Sequence, residues 1–362
     1  MLIHLIEIFV FSFLIMLSCM LFLNPLKVNK KANLWFSITL LLWATYWLDE
    51  ILILIKIAPF SDLIRLIVSF IQFFTPALLY VSIVFFTNPN HKFKTKDGTI
   101  FILPFIYFGL LILNRLLLYN LQNSLKFLVL TNTILYTLKS YLKLRSHQRK
   151  IKLFSSNTND IDLKWLENII LIIVLIVIVI SAFNLIYIGL PLNLHLNIVM
   201  LIAILFIAYN ALKQKEIFPL NEKHRNEVIA IKEDEKIINK RKILSDDELV
   251  TLKSKLNLLM KEQHLYLNHD INLASLSEKM KITSHQLSYI INNGFNQNFF
   301  QFINTYRVNK AKELLSDKDS NKLSILGIAY ESGFNSKTAF NTTFKKFTNQ
   351  TPSEYKKQSA TL

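Results

Sequence analysis

The chain has 362 residues, of which 52% are apolar and 18% charged, yet the net charge is +16. That length is enough for two domains, and the averages hide a split: Leu/Ile/Phe runs fill the first part, while charge gathers in loops and in the last third. Cys19 is the only cysteine, which excludes an intrachain disulfide and a cysteine-based metal site.

Apolar stretches long enough to cross a bilayer recur at about 2–23, 33–55, 64–86, 99–119, 123–142, 165–189 and 192–212. The fifth is diluted by Asn132, Thr133, Lys139 and Ser140, and the sixth is the most uniformly apolar. The first run has no basic residues ahead of it and continues to Leu23, so a cleaved signal is not expected. Pro76 and Pro104 fall inside the third and fourth runs, where a kink is expected. Basic residues set the orientation. Lys27, Lys30 and Lys31 follow the first run, Lys92, Lys94 and Lys96 the third, and Lys143, Arg145, Arg149, Lys150 and Lys152 the fifth. The loop at Gly189-Leu190-Pro191 has none. This predicts a multi-pass protein of the cell (inner) membrane, with its N-terminus outside and its C-terminus in the cytoplasm.

With that orientation the polar residues of the runs gather in their outer halves: His4 and Glu7, Asp49 and Glu50, Arg65, Asn114 and Arg115, Asn184, His195 and Asn197. Charges at membrane depth usually face a bundle interior or a water-filled cavity. Glu7, Asp49, Glu50, Arg65, Arg115 and His195 are therefore candidates for a ligand pocket open to the outside. The competing reading is snorkelling at the interface together with structural ion pairs.

Residues 213–244 form a charged connector of mixed sign. Ser245-Asp246-Asp247-Glu248 is a capping box opening a helix with Leu249, Leu252, Leu256, Leu259 and Met260 on one stripe. That helix packs on the domain downstream of it or forms a seam in a homodimer. A helix-turn-helix then spans about 272–292. Leu273 and Leu276 begin it, and Thr283-x-x-Gln286 caps its second helix. On that helix Leu287, Ile290 and Ile291 face inward, and Ser284, His285, Ser288 and Tyr289 face out. Phe299, Phe302, Ile303, Tyr306, Ala311 and Leu314 mark a linking helix. A second helix-turn-helix spans about 325–347. Ile325, Ile328 and Ala329 lead into Gly333, which permits the turn, and Ser336 caps the next helix. There Phe340, Phe344 and Phe347 share the inner face. Lys337, Thr338, Asn341, Thr342 and Lys345 occupy the outer face, with chemistry suited to base edges and phosphates. Thr351-Pro352-Ser353-Glu354 starts a last helix.

The pattern Ile325-x-x-Ile328-Ala329, Gly333-Phe334-x-Ser336, Phe340-x-x-x-Phe344-Lys345-Lys346 and Thr351-Pro352-Ser353-Glu354-Tyr355 resembles the second helix-turn-helix of AraC/XylS-type transcription regulators. One departure is Asn349, where such sequences usually carry glycine. The resemblance implies two readers entering successive major grooves, half-sites roughly 34 Å apart, contact with RNA polymerase, and activation more often than repression.

The expected fold is therefore all-α: a polytopic bundle of about seven transmembrane helices over 1–212, the connector 213–244, and a soluble DNA-binding domain over 245–362. The sequence holds no H-E-x-x-H, G-x-S-x-G, P-loop or kinase set, so no catalytic residue, metal site or cofactor is expected. The leading function is a membrane-embedded, one-component transcription regulator that binds double-stranded DNA, sits in membrane lipid and responds to an external small molecule or membrane signal. The alternatives are a membrane enzyme or transporter with a regulatory DNA-binding tail, and a scaffold that tethers DNA to the membrane.

Overall fold

A computed structural model of the chain describes residues 2–116, 121–186, 193–230, 243–317 and 323–360. The loop at 189–191, the ends of the fourth and sixth apolar runs and most of the connector beyond residue 230 lie outside them. Among the described residues every regular element is helical, and one isolated antiparallel bridge joins Ser155 to Asn272. The chain divides into two compact units: residues 1–146 with 163–217, and residues 147–162 with 218–362. The second unit is thus discontinuous in sequence. It takes in the segment between the fifth and sixth apolar runs and the start of the connector.

The first unit contains α1 (Leu2–Leu23), α2 (Lys30–Ala44), α3 (Leu48–Leu54), α4 (Asp62–Gln72), α5 (Thr75–Thr87), α6 (Ile102–Leu116), α7 (Gln122–Lys150), α8 (Lys164–Ile186) and α9 (Asn193–Lys213). Among the described residues five stretches are long and apolar enough to cross a membrane: Ile3–Leu23, Lys30–Leu54, Asp62–Thr87, Asp97–Leu116 and His195–Lys213. The fifth and sixth runs predicted from sequence are the helices α7 and α8. Polar residues such as Asn132, Lys139 and Ser140 interrupt α7. By contrast, α8 reads KWLENIILIIVLIVIVISAFNLI, and its predicted end at 187–189 is outside the described residues.

The core of this unit is built where small polar residues let helices approach. Ser18 Oγ donates to the Ser37 carbonyl of α2 at 2.8 Å, and Ser82 Oγ of α5 donates to that of Ala32 at 3.1 Å. Val10, Leu14, Phe36, Leu40, Val81 and Phe86 are buried there. The outer faces are apolar as well: Phe105 and Ile202 are each 63% exposed, and Ile64 and Leu205 are exposed too.

Pro76 acts differently from a mid-helix kink. The helix breaks at Phe73–Phe74, and Pro76 occupies the first turn of the new helix α5, where its missing N–H costs nothing. The Gln72 carbonyl, which would have paired with that N–H, accepts instead from Thr75 Oγ1 at 2.8 Å and Tyr46 Oη at 3.4 Å. Asn132 Nδ2 of α7 donates to the Phe73 carbonyl at 2.9 Å. Pro104 likewise falls in the first turn of α6.

The second unit contains α10 (Glu222–Ala230), α11 (Asp246–Gln263), α12 (Leu273–Met280), α13 (Ser284–Tyr289), α14 (Phe299–Ser316), α15 (Ile325–Glu331), α16 (Lys337–Thr348) and α17 (Pro352–Ala360). Its caps are local and explicit. Ser245 and Glu248, Thr283 and Gln286, and Asn298 and Gln301 exchange reciprocal capping-box bonds. Ser336 accepts from the Ala339 N–H. α16 ends on Asn349 in the left-handed region, φ 59°, the conformation that glycine usually supplies at this position. Val308, Ala311, Leu315, Ile328, Ala329, Phe334, Phe340 and Phe344 form one buried cluster between the linking helix α14 and α15–α16.

Candidate nucleic-acid interface

The second reader, α15-turn-α16, turns at Gly333, whose φ is +86°. A Cβ there would lie 2.5 Å from the Tyr266 carbonyl oxygen and 2.8 Å from Leu267 Cα. The position requires glycine for two reasons, the backbone angle and the close pass of another chain segment. Phe334 tucks beneath the turn and Phe340 and Phe344 bury fully, so α16 has one rotational setting. That setting exposes Lys337, Thr338, Thr342 and Lys345, with Asn341 half-buried beside them. The outer face thus combines two ammonium groups, two hydroxyls and one amide. An amide of this kind matches the paired donor and acceptor of an adenine edge, and the ammonium groups match phosphates.

The first reader, α12-turn-α13, has no glycine. Lys281 takes the left-handed conformation at φ 58° and closes the turn. Here the outward set divides. His285 is exposed and Tyr289 half-buried, whereas Ser284 and Ser288 are buried. This corrects the sequence expectation that all four face out. The Ser284 hydroxyl lies 3.2 Å from that of Ser277 inside the reader, and the connector helix α10 packs on α12 and α13. Glu227 Oε2 accepts from the Ser284 N–H at 3.3 Å, and His224 pairs with Glu278 at 3.2 Å. Val228 is buried in the same contact. Burial pushes the Glu227 carboxyl up, but the hydrogen bonds from Ser284 and the charges of His224 and Lys223 outweigh it and hold the group below its ordinary value. An acidic side chain therefore occupies the start of the helix that would meet DNA.

A second contact was not legible from motifs. The segment 154–162 lies along the base of both readers. The Phe154 carbonyl accepts from the Leu273 N–H at 2.9 Å. Ser156 Oγ donates to the Ile271 carbonyl at 2.8 Å, and the Ser156 carbonyl accepts from Asn304 Nδ2 at 3.1 Å. Asp160 Oδ2 accepts from Asn335 Nδ2, in the turn of the second reader, at 3.3 Å. At the centre is Arg307, 1% exposed. It donates to the carbonyls of Tyr266 (2.7 Å) and Asn268 (2.9 Å) and to Ser156 Oγ (3.2 Å), and its guanidinium lies over the Phe334 ring. Burial lowers its pKa to about 10, partly opposed by Asp270, so it is charged at neutral pH. The only sequence signal for this docking was a pair of apolar residues, Phe154 and Ile161, within a polar run.

The residues proposed from sequence to form an external ligand pocket do not converge. In the first unit Glu7 is buried, 3.2 Å from His4 and 3.4 Å from Asn197, and Asn197 in turn accepts the Trp47 indole N–H at 2.9 Å. Asp49 pairs separately with Arg65 at 3.1 Å and accepts the Phe60 N–H at 3.0 Å. Glu50, Arg115 and His195 are exposed. Each buried or half-buried carboxylate is satisfied by a neighbouring helix or loop, which corrects the single-pocket expectation in favour of two separate pairs. Among the described residues no group of His, Cys, Asp or Glu is arranged to hold a metal ion.

Comparison with known proteins agrees with the geometry of the second unit. Residues 276–358 match the family described as a helix-turn-helix domain. An uncharacterised HTH-type transcriptional regulator of Staphylococcus aureus strain COL is 34% identical over 114 residues, which cover 32% of this chain and 14% of that protein. The melibiose operon regulatory protein of Escherichia coli strain K12 is 32% identical over 94 residues, covering 25% of this chain and 30% of that protein. The chain therefore spans a minor part of the relatives it matches. No solved structure matches the chain significantly. The C-terminal region is a helix-turn-helix domain of the AraC type, and the chain is similar in part to proteins named as regulators.

Proposed function

We propose that the chain is a membrane-embedded, one-component transcription regulator that carries two DNA readers on the cytoplasmic side of about seven transmembrane helices and binds double-stranded DNA in a sequence-specific way. The observation that carries this reading is the coexistence, in one chain, of a matched helix-turn-helix domain and five helices apolar enough to span a bilayer. The exposed apolar side chains on those helices support lipid contact, since a water-soluble surface seldom presents so much apolar area. Lys337, Thr338, Asn341, Thr342 and Lys345 read the DNA from α16, and His285 and Tyr289 from α13. Ser284 and Ser288 join them once α10 moves away. An external or membrane-borne signal acts through the two chain segments that lead from the bundle to the readers, 147–162 and α10. Activation, with RNA polymerase as partner, follows from the family resemblance. The relative named for the melibiose operon supports regulation of an operon as the output.

The test is to map genomic sites occupied by the full-length protein and to measure its binding to those sites in lipid nanodiscs. Preference for the mapped sites over unrelated duplexes at physiological salt is expected. Equal affinity for both, or a C-terminus found outside the cell by a topology reporter, overturns the reading.

Two substitutions probe the assignment at opposite ends. Lys337→Ala is expected to weaken binding to all sequences alike and to reduce the dependence of log K on log salt by about one ion. An unchanged salt slope would remove Lys337 from the phosphate contacts. Glu227→Gln weakens the hold of α10 on α13 and is expected to raise DNA affinity roughly three- to tenfold, about the difference between a charge-assisted and a neutral hydrogen bond. Unchanged or lower affinity would show that α10 does not mask the first reader.

A further inference from the structure

Between α2, α5, α7 and α8 the first unit forms a partly open pocket of about 160 Å³, whose wall includes Trp43, Tyr46, Thr75, Thr133, Thr137 and Ser140. A second space of about 470 Å³ lies between α7 and α8 and is almost wholly apolar, lined by residues such as Ile134, Leu138, Leu171 and Val174. Thr133, Thr137 and Ile173 line both, so the two spaces adjoin across these three side chains. The smaller has hydroxyls and aromatic rings, and the larger is a hydrocarbon trough. No acidic or basic side chain lines either.

Ser140 is the unusual group. It is 0% exposed, and its Oγ has no hydrogen-bond partner. A helical serine commonly returns its proton to a carbonyl one turn back, as the neighbouring Thr133 does to Val129 at 2.8 Å. Ser140 does not, and it is one of the residues that line the smaller space. A buried polar group without a partner points to a missing one.

We propose that the two spaces together bind a neutral, single-chain amphiphile, with a hydroxyl- or amide-bearing head on Ser140 and an alkyl tail in the trough between α7 and α8. The inference rests on the reading of the first unit as membrane-embedded. A charged head is disfavoured because the cavity offers no counter-charge to offset its desolvation. The head is small: a cavity of roughly 150 Å³ holds a molecule the size of benzene. A two-chain phospholipid fits poorly, since a space of about 160 Å³ is too small for its head group. The ligand lies on the two helices that lead directly into and out of segment 147–162, so its presence bears on the segment that packs on Arg307.

The test uses the full-length protein in phosphatidylcholine nanodiscs and a diazirine-bearing dodecanol as probe, with labelled peptides identified by mass spectrometry. Labelling is expected in α7 and α8, to be displaced by excess 1-dodecanol, and to resist dodecanoate and dodecane. Ser140→Ala is expected to reduce it about tenfold, the loss of one hydrogen bond at a buried site. Ile173→Trp, which fills the junction, is expected to abolish it while leaving the rest of the bundle intact. Labelling that survives both substitutions, or that dodecane displaces as well as dodecanol, overturns the proposal and leaves only a lipid-filled groove. DNA binding measured in the same nanodiscs separates the two readings. Site-specific labelling without any change in DNA affinity upholds the site and counts against signalling through it.

Discussion

Replacing Gly333 with alanine is expected to destabilise the second reader and weaken DNA binding by the full chain. Two penalties add. The left-handed backbone angle of +86° costs a residue with a Cβ roughly 1–2 kcal/mol. The new methyl then meets backbone at 2.5 and 2.8 Å, and overpacking of that kind costs roughly 1–3 kcal/mol. Unlike a flexible side chain, the Tyr266–Leu267 segment cannot swing aside, because the Tyr266 carbonyl is held by Arg307 at 2.7 Å. A total of about 3 kcal/mol corresponds to a fall of roughly 6–12 °C in Tm for a unit of this size. Thermal unfolding followed by the near-ultraviolet signal of the full-length protein in detergent checks it. A Tm within two degrees or so of the parent would show that the turn relaxes around the methyl.

Arg307→Ala is expected to be as severe, by a different mechanism. The substitution removes three hydrogen bonds and leaves the Tyr266 and Asn268 carbonyls buried without their charged donor. Each buried carbonyl left without a donor costs roughly 1–3 kcal/mol, and the space left by the side chain adds a cavity cost. It also frees Ser156, so segment 154–162 loses one of its anchors on the readers. Both stability and the coupling of DNA binding to the signal are expected to fall. Ser156→Ala, which removes only one of the three acceptors, separates the two effects: a small stability loss with a clear loss of signal response is expected. Equal losses of stability in both variants would assign Ser156 a packing role alone. The pH dependence has a definite sign. Because burial lowers the folded value of Arg307 to about 10, the unfolded chain binds the extra proton above that pH, and stability from this group rises only between about 10 and the ordinary arginine value. Between pH 6 and 8 Arg307 contributes no slope.

Local chemistry was largely readable in advance, because caps and turns depend on neighbours in sequence. Ser245 with Glu248, Thr283 with Gln286, Ser336, Gly333 and Asn349 each act within a few residues. The helical stripe of Phe340 and Phe344 fixed which face of α16 would be free. What failed involved partners distant along the chain. Ser284 meets Ser277 across the turn, a contact that its polar position on α13 hides, and its neighbourhood in sequence does not reveal that Glu227, 57 residues earlier, bonds the start of that helix. Arg307 carried no motif of its own, and its partner Ser156 is 151 residues away. The carboxylates of the first unit were read as one pocket because their depth along the helices was similar. Depth along an axis does not fix rotation about it, and Asp49 and Glu7 turn to different neighbours. Pro76 was read as a kink because sequence does not reveal whether a helix passes through a proline or restarts on it.

The division of the second unit into two stretches of chain bears on how the protein is made. Residues 147–162 leave the ribosome before α8 and α9, so one wall of the DNA reader is synthesised well ahead of the helices that complete it. A truncated chain that stops after α9 still presents that wall, with Phe154 and Ser156 lacking the residues that cover them. A gene fragment beginning at the connector encodes readers that lack it. Grafting the readers onto a foreign anchor therefore transfers an unfinished domain, and only an exchange that also carries the segment between α7 and α8 moves the whole folding unit.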